Sequence, residues 1–554
     1  MAASSSAPVA PSPSSSSSTA SASTAESVVA ANIALMNSLL GYDVVIVCCS
    51  TPYQATYWQK RLMATRGTIS PSDMKVITVY EDWVGGAGNG LGTLYAYQKA
   101  VVEGKVLYGN SFDLTKELRE KKISVALYHT AGKGTRLAPL PGSENNNKPG
   151  VKLPAMLKVE DNYVPMTILE AVIKQTGVYA PSRRGRLSVF WGDQVFIPSA
   201  KVEYTPVHHV DILATLAPMP SEKEWKEKGL EKYGLIAVNG ANEAAQVDKV
   251  SHATALRLLA DFGQVKSVGT SLGSFSVDHD MLVSLLEEFE QELQQKEGKL
   301  DTDPHFWMPL TLPLSAYVEV MGQKGVPTEK STRHYDRMQT MLQKFYTSRR
   351  EKLGLFGCID VGSAAYWWDY GQLKLYLKNN SLVTENTTEA LALRSFLGIQ
   401  DPLMWSELGD SVTTHKVAVL GSKISRGRII SSVLSGVAAD TVDVEDSILI
   451  NVTARHVKAK RCVLYNVTSE DIKGLDLEPG TVLVGVLLPN GDRLVVESKL
   501  SICGGDAWKT TLDNNVHSFE QIYVLNEEAD VAEIERLCQD EHLRIRELIH
   551  PTIY

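Results

Sequence analysis

The residues best suited to chemistry lie between Ala131 and Lys152 and around two aspartates, Asp193 and Asp369. The first stretch reads Ala131, Gly132, Lys133, Gly134, Thr135, Arg136, Leu137, with Lys148, Pro149 and Lys152 following. Gly132 and Gly134 permit positive φ and let the backbone come close to a ligand. The N–H groups exposed by such a turn face phosphate oxygens. Arg136 adds a planar fork of donors, and Lys148 and Lys152 add point charges. The chemistry expected of this stretch is therefore phosphate binding. The chain contains no Gly-x-x-x-x-Gly-Lys-Ser/Thr, and this turn lacks the third glycine of a dinucleotide fingerprint, so neither of those phosphate sites is expected. Asp193 follows Gly192 at the end of an apolar run, where a carboxylate can face the same crevice as the glycine turn. Asp369 stands among Tyr366, Trp367, Trp368 and Tyr370. A carboxylate buried among rings needs a partner, and a metal ion is one.

These residues need elements to hold them. Residues 123–128 are mostly apolar and read as a buried strand leading into the glycine turn. Residues 42–48 and 74–80 read as further strands, with a helix over 51–64 between them. Ser50 or Thr51 caps that helix and Pro52 lies in its first turn. A second glycine-rich stretch, with Gly88 and Gly90, precedes a helix at 94–103 and offers another anion site at a helix N-terminus. Residues 186–191 form the strand ending in Gly192 and Asp193. A helix begins near Thr167, and an amphipathic one spans 281–300. Further on, Ile424, Ile430, Val442 and Ile448 fall on a six-residue period with Gly436 in frame, the pattern of a left-handed parallel β-helix. A β-helix acyltransferase with His456 as base needs more repeats than are present. A charged helix at 530–549 closes the chain.

The sequence has 554 residues, 44% apolar and 21% charged, enough for two or three domains with a large core. A net charge of -9 argues against broad nucleic-acid binding. Six scattered cysteines with no zinc spacing suit free thiols in a reducing compartment. Residues 1–26 are Ser, Ala, Pro and Thr almost throughout and are expected to be disordered. The first lysine is Lys60, so neither a secretory nor a transit signal is expected, and no run suggests a membrane span. A cytoplasmic protein is the expectation.

The glycine turn with its Lys148-Pro149 pair resembles the signature loop of the sugar-1-phosphate nucleotidyltransferases. The long leader, Tyr57 to Lys60 on a helix and the Gly88 to Leu94 stretch resemble the fucose-1-phosphate guanylyltransferases among them. The resemblance implies an α/β fold: a Rossmann-like nucleotidyltransferase domain over 27–410, with a mixed, mostly parallel sheet, then a left-handed parallel β-helix over 411–554. It implies substrates, a nucleoside triphosphate and a sugar-1-phosphate, and a cofactor, Mg²⁺, held by Asp193 and Asp369. Ala131, Gly132, Lys133, Gly134, Thr135, Gly88, Gly90 and Gly192 would then surround the nucleotide. Arg136 would meet the departing pyrophosphate and Lys148 the α-phosphate. Of the substrate-binding residues, Lys152 would neighbour Lys148, Lys249 would reach the sugar phosphate and Gly273 would lie in the segment holding the sugar. The loop has the general Ala-Gly-Lys-Gly-Thr-Arg-Leu form, which leaves base and sugar open: GTP with fucose-1-phosphate, or UTP with a hexose-1-phosphate. A non-catalytic nucleotide-sugar sensor is the reading of another class. A homo-oligomer through the β-helix also stays open.

Overall fold

The computed structural model describes residues 16–159 and 162–551. Residues 1–15 of the tail lie outside them. The helix α1 (Ser16–Asn37) corrects the expectation of a disordered tail to residue 26. The last proline before it is Pro13, and Val29, Ile33 and Met36 are buried at helical spacing. A helix docked by one face can extend backwards through Ala and Ser, whose helix propensity is adequate once the face is buried. Asn32 ties α1 down by donating to the carbonyls of Pro198 and Ala200, both at 2.8 Å.

The core of the N-terminal part is a nine-stranded sheet. Its first strand in the chain is β1 (Val44–Cys49), one in from an edge of the sheet and buried at every position. The chain then runs through α2 (Pro52–Thr65) to β2 (Lys75–Tyr80), and through α3 (Gly88–Tyr108) to β3 (Val125–His129). Both β2 and β3 lie parallel to β1, on opposite sides of it. That reversal of strand order opens a crevice beyond the carboxyl ends of β1 and β3. The strand Arg186–Trp191 continues the parallel half beside β3. Thr51 caps α2 as the sequence predicts, its hydroxyl accepting the Gln54 N–H at 3.2 Å.

Beyond Arg186–Trp191 the sheet turns mainly antiparallel, so the expected mostly parallel sheet holds for only half of it. The long strand Val265–Asp278 runs antiparallel to Arg186–Trp191 and also to His208–Ala217 and Gly234–Asn239. An irregularity between Ser271 and Phe275 lets it change neighbours. Gly354–Asp360 returns parallel to His208–Ala217.

Residues 407–499 build two further sheets, and the chain alternates between them. The strands within each are parallel until the last, Arg493–Lys499. The repeat is fifteen residues, as in the neighbours Val433, Ile448 and Val463, and the expected six-residue frame does not set it. That frame mixed positions with different destinations. Ile424 and Val442 pack with residues of these two sheets, whereas Ile448 belongs to the core shared with the N-terminal part. Serines mark one corner on the same fifteen-residue step: Ser432 Oγ accepts the Ser447 N–H and Ser447 Oγ the Cys462 N–H, both at 3.1 Å. Two helices, Phe519–Leu525 and Val531–Ile549, follow, the second capped by Asp530. Among the described residues no helix is long and apolar enough to cross a membrane. All six cysteines are free.

Candidate active site

Three charged side chains from distant segments meet beyond the carboxyl ends of the parallel strands. Lys148 Nζ donates to Asp193 Oδ2. Asp193 stands between Arg186–Trp191 and the short strand Gln194–Ile197. Tyr366–Asp369 pairs antiparallel with that short strand, setting Asp369 opposite Gln194. This pairing carries a carboxylate from a segment 176 residues on to the side of Asp193. Asp369 is fixed twice: its Oδ1 accepts the Gly371 N–H at 2.6 Å, and its carbonyl accepts from Asn379 Nδ2 at 2.8 Å. Gly371 marks the meeting point. A Cβ placed there would lie 3.0 Å from Asp369 Oδ1, 3.4 Å from Asp193 Oδ2 and 3.7 Å from Lys148 Nζ.

The glycine turn holds Lys148 from behind. Gly134 is left-handed, with φ 63°, and a Cβ there would press on Lys148 Cγ and Cδ at 3.1 Å. Thr135–Leu137 forms one turn of 3₁₀ helix. Ala131, Gly132, Lys133 and Arg136 are exposed, and Gly132 has φ 124°. The loop therefore presents accessible backbone, and Arg136 is exposed with its Cγ 3.7 Å from the place a Cβ would take on Gly505. Lys133 turns away, its Nζ lying 5.0 Å from the centre of the Tyr523 ring.

Other expected site residues sit elsewhere or are already bonded. Lys152 is buried in an ion pair, its Nζ donating to Glu144 Oε1 at 2.6 Å and Oε2 at 2.7 Å. Glu144 also accepts from Asn466 Nδ2 at 2.9 Å, so this is an internal network of polar groups. Gly88 and Gly90 lie inside α3 rather than in a loop before it. Their lack of side chains admits the segment at 300–302: a Cβ on Gly88 would be 2.6 Å from the Leu300 carbonyl oxygen. The Gly90 N–H donates to that same oxygen at 2.8 Å and the Asn89 N–H to Asp301 Oδ1 at 3.0 Å. An internal carboxylate thus takes the place at this helix end where an anion was expected. The Gly192 N–H donates to the His129 carbonyl at 3.1 Å. Gly273 lies against Trp191, a Cβ there being 2.5 Å from Nε1. Lys249 is exposed, its backbone N–H bonded to the Tyr233 carbonyl at 3.1 Å. The amphipathic segment expected over 281–300 divides into His279–Glu288 and Glu290–Gln295.

Sequence reasoning missed His129, at the end of β3. It stacks on Trp191 at 5.4 Å and bonds Thr93 Oγ1 through Nε2 at 2.8 Å. Thr93 donates its own proton to the Asn89 carbonyl at 2.7 Å, so the imidazole carries its proton on Nε2. Burial lowers its pKa to about 4, which keeps it neutral near pH 7. Its place directly after an apolar strand was the available signal.

Among the described residues no cluster of three or more His, Cys, Asp or Glu side chains could hold a metal ion by itself. Asp193 and Asp369 bring two carboxylate oxygens within 3.4 Å of the place a Cβ would take on Gly371. No protein-family model and no curated protein matches the chain. Among solved structures, HddC from Yersinia pseudotuberculosis, complexed with GMP-PN, aligns over 60% of this chain and 96% of its own, at 8% identity and a TM-score of 0.22. A TM-score of that size lies below what a shared fold gives, so the alignment adds no weight to any reading of the site.

Proposed function

We propose that the chain is a sugar-1-phosphate nucleotidyltransferase, joining a nucleoside triphosphate and a sugar-1-phosphate into a nucleotide-sugar with release of pyrophosphate. GTP with fucose-1-phosphate is the first pair, on the motif resemblance. The observation that carries the reading is the convergence of Lys148, Asp193 and Asp369 on Gly371, beside the exposed glycine turn.

In this reaction an oxygen of the sugar phosphate attacks the α-phosphorus, and the bond to the β-phosphate bridging oxygen breaks. The nucleophile is already an anion, so no residue has to remove a proton. The chain's work is to align two anions and offset their repulsion. The backbone at Gly132 to Thr135 cradles the triphosphate and Arg136 pairs with the leaving pyrophosphate. Lys148 exchanges part of its bond to Asp193 for the α-phosphate, where negative charge shifts during the displacement. Asp193 and Asp369 would hold Mg²⁺, which supplies charge neutralisation and a template for phosphate oxygens. Neutral His129 stacks on Trp191, at the end of the strand that leads to Asp193.

The test pairs GTP, UTP, ATP and CTP with fucose-1-phosphate and a set of hexose-1-phosphates, with excess Mg²⁺, and measures pyrophosphate. The reading expects at least one productive pair. Binding of a nucleotide-sugar with no pyrophosphate from any pair would replace it with the sensor reading.

A further inference from the structure

The loop between the glycine turn and Lys148 is held by the C-terminal part of the chain at five successive residues. The Gly142 carbonyl accepts from Asn526 Nδ2 at 2.9 Å. Ser143 Oγ donates to the Gly485 carbonyl at 2.5 Å and accepts from Asn466 Nδ2 at 2.9 Å. Glu144 accepts from Tyr465 and Asn466. Asn145 Nδ2 donates to the Leu487 carbonyl at 3.3 Å and to Asn526 Oδ1 at 3.4 Å. Asn146 Nδ2 donates to the Tyr523 carbonyl at 2.6 Å. Asn147 completes the run by accepting from Trp58 Nε1 at 2.9 Å. The next residue is Lys148.

Asn145 and Asn146 both adopt left-handed backbone, with φ 51° and 65°. Asparagine tolerates this conformation better than most residues, but two in succession are costly without outside bonds. The bonds come from Asn526 and from the end of the helix Phe519–Leu525. A polar run between glycine and proline, which by composition alone is a flexible segment, is here a buried and bonded one. The glycine turn is pressed by the C-terminal part as well: a Cβ on Gly504 would lie 2.5 Å from the Thr135 carbonyl oxygen.

We propose that the C-terminal part holds the active site from behind: Asn526, with Asn145 and Asn146, forms a clamp that sets the position of Lys148 against Asp193. This rests on the reading of Lys148 given above. Asn526 is a positioning residue, acting through the backbone and touching no substrate. Displacing a charged group from its place costs rate far more than ground-state affinity when the group acts chiefly in the transition state.

The test uses the full chain. Asn526→Ala removes both of that residue's bonds to the loop. The double variant Asn145→Gly with Asn146→Gly keeps the left-handed backbone open to glycine and removes only the side-chain ties. Each should lower kcat about tenfold or more while KM for either substrate changes less than about threefold. Amide hydrogen exchange over 142–148 should accelerate, and that of Ile448–Ile450 and Val463–Tyr465 should not. Glu528→Ala, at an exposed position next to this region, should behave as the parent. Unchanged exchange over 142–148 in both variants overturns the clamp. So does faster exchange with parental kcat. A parent that releases no pyrophosphate with any pair overturns the role of Lys148 and the catalytic role of the clamp with it. Faster exchange would then report a structural tie alone.

Discussion

Adding one methyl group at Gly371 probes the centre of the candidate site without removing any of its charges. No positive φ is needed at this residue, so Gly371→Ala keeps the backbone and the N–H that Asp369 Oδ1 accepts. The new Cβ would sit 3.0 Å from that oxygen, 3.4 Å from Asp193 Oδ2 and 3.7 Å from Lys148 Nζ. The first contact is shorter than van der Waals distance and forces the Asp369 carboxylate back by a few tenths of an ångström. A displacement of about 1 Å at a reacting centre costs on the order of a hundredfold, so this smaller one should cost about tenfold in kcat. Stability should change little, because alanine restricts the unfolded chain by about 0.4–1 kcal/mol in favour of folding and strain offsets it. Steady-state kinetics on the productive substrate pair, together with thermal unfolding, measures both. Gly322→Ala is the control: its Cβ would meet nothing within 4 Å, and kcat should be parental. Parental kcat in Gly371→Ala as well would refute the idea that chemistry happens where these three side chains meet.

Further predictions follow from the same geometry. Asp193→Asn and Asp369→Asn should each lower kcat by about a hundredfold or more with the fold retained, as circular dichroism and kinetics would show. Lys148→Ala should lower kcat by more than it raises nucleotide KM; Lys148→Arg should not restore it, because the stem is boxed in by Gly134 and a guanidinium is no substitute for a point charge. Lys152→Ala should act on stability: it strands the Glu144 carboxylate in the interior at a cost of about 3–5 kcal/mol, read as a fall in Tm or denaturant midpoint. Acid should destabilise the protein through His129 and His542, whose pKa values burial lowers from 6.5 to about 4. The unfolded chain takes up these protons first, so Tm should be flat in this respect above pH 6.5 and fall between pH 6.5 and 4. His542→Gln should make that decline shallower.

The parts of the site legible in the sequence were those with unusual composition in a short window. Gly132 to Arg136 after an apolar strand, Gly192 with Asp193, and Asp369 among rings each announce themselves locally. Their meeting depends on the pairing of Tyr366–Asp369 with Gln194–Ile197, a long-range contact that leaves no local trace. Lys152 illustrates the opposite case. It stands four residues from Lys148, but its partner Glu144 is buried by Tyr465 and Asn466, more than three hundred residues away. Nothing near Lys152 in the chain says that it points inward. The antiparallel half of the sheet was obscured for a similar reason, since Val265–Asp278 serves three neighbours along one strand. In the C-terminal sheets, apolar residues on two different faces gave an accidental six-residue beat that concealed the fifteen-residue repeat. Gly371 was in plain view two positions after Asp369, yet a glycine speaks only once its neighbours in space are known.

The clamp also has a consequence for the order in which the protein is made. The loop before Lys148 takes its conformation from Asn466, Gly485, Leu487, Tyr523 and Asn526. On a ribosome those residues emerge long after β3 and the glycine turn, Asn526 standing 378 residues beyond Lys148. The parallel half of the sheet can form early, but the loop before Lys148 receives its last ties only once Asn526 has been made. A chain stopped before Phe519 would carry every charged residue of the candidate site and still lack the ties from Tyr523 and Asn526. On the proposed reading, activity would wait for the helix Phe519–Leu525 and Asn526, a form of quality control that needs no separate regulator.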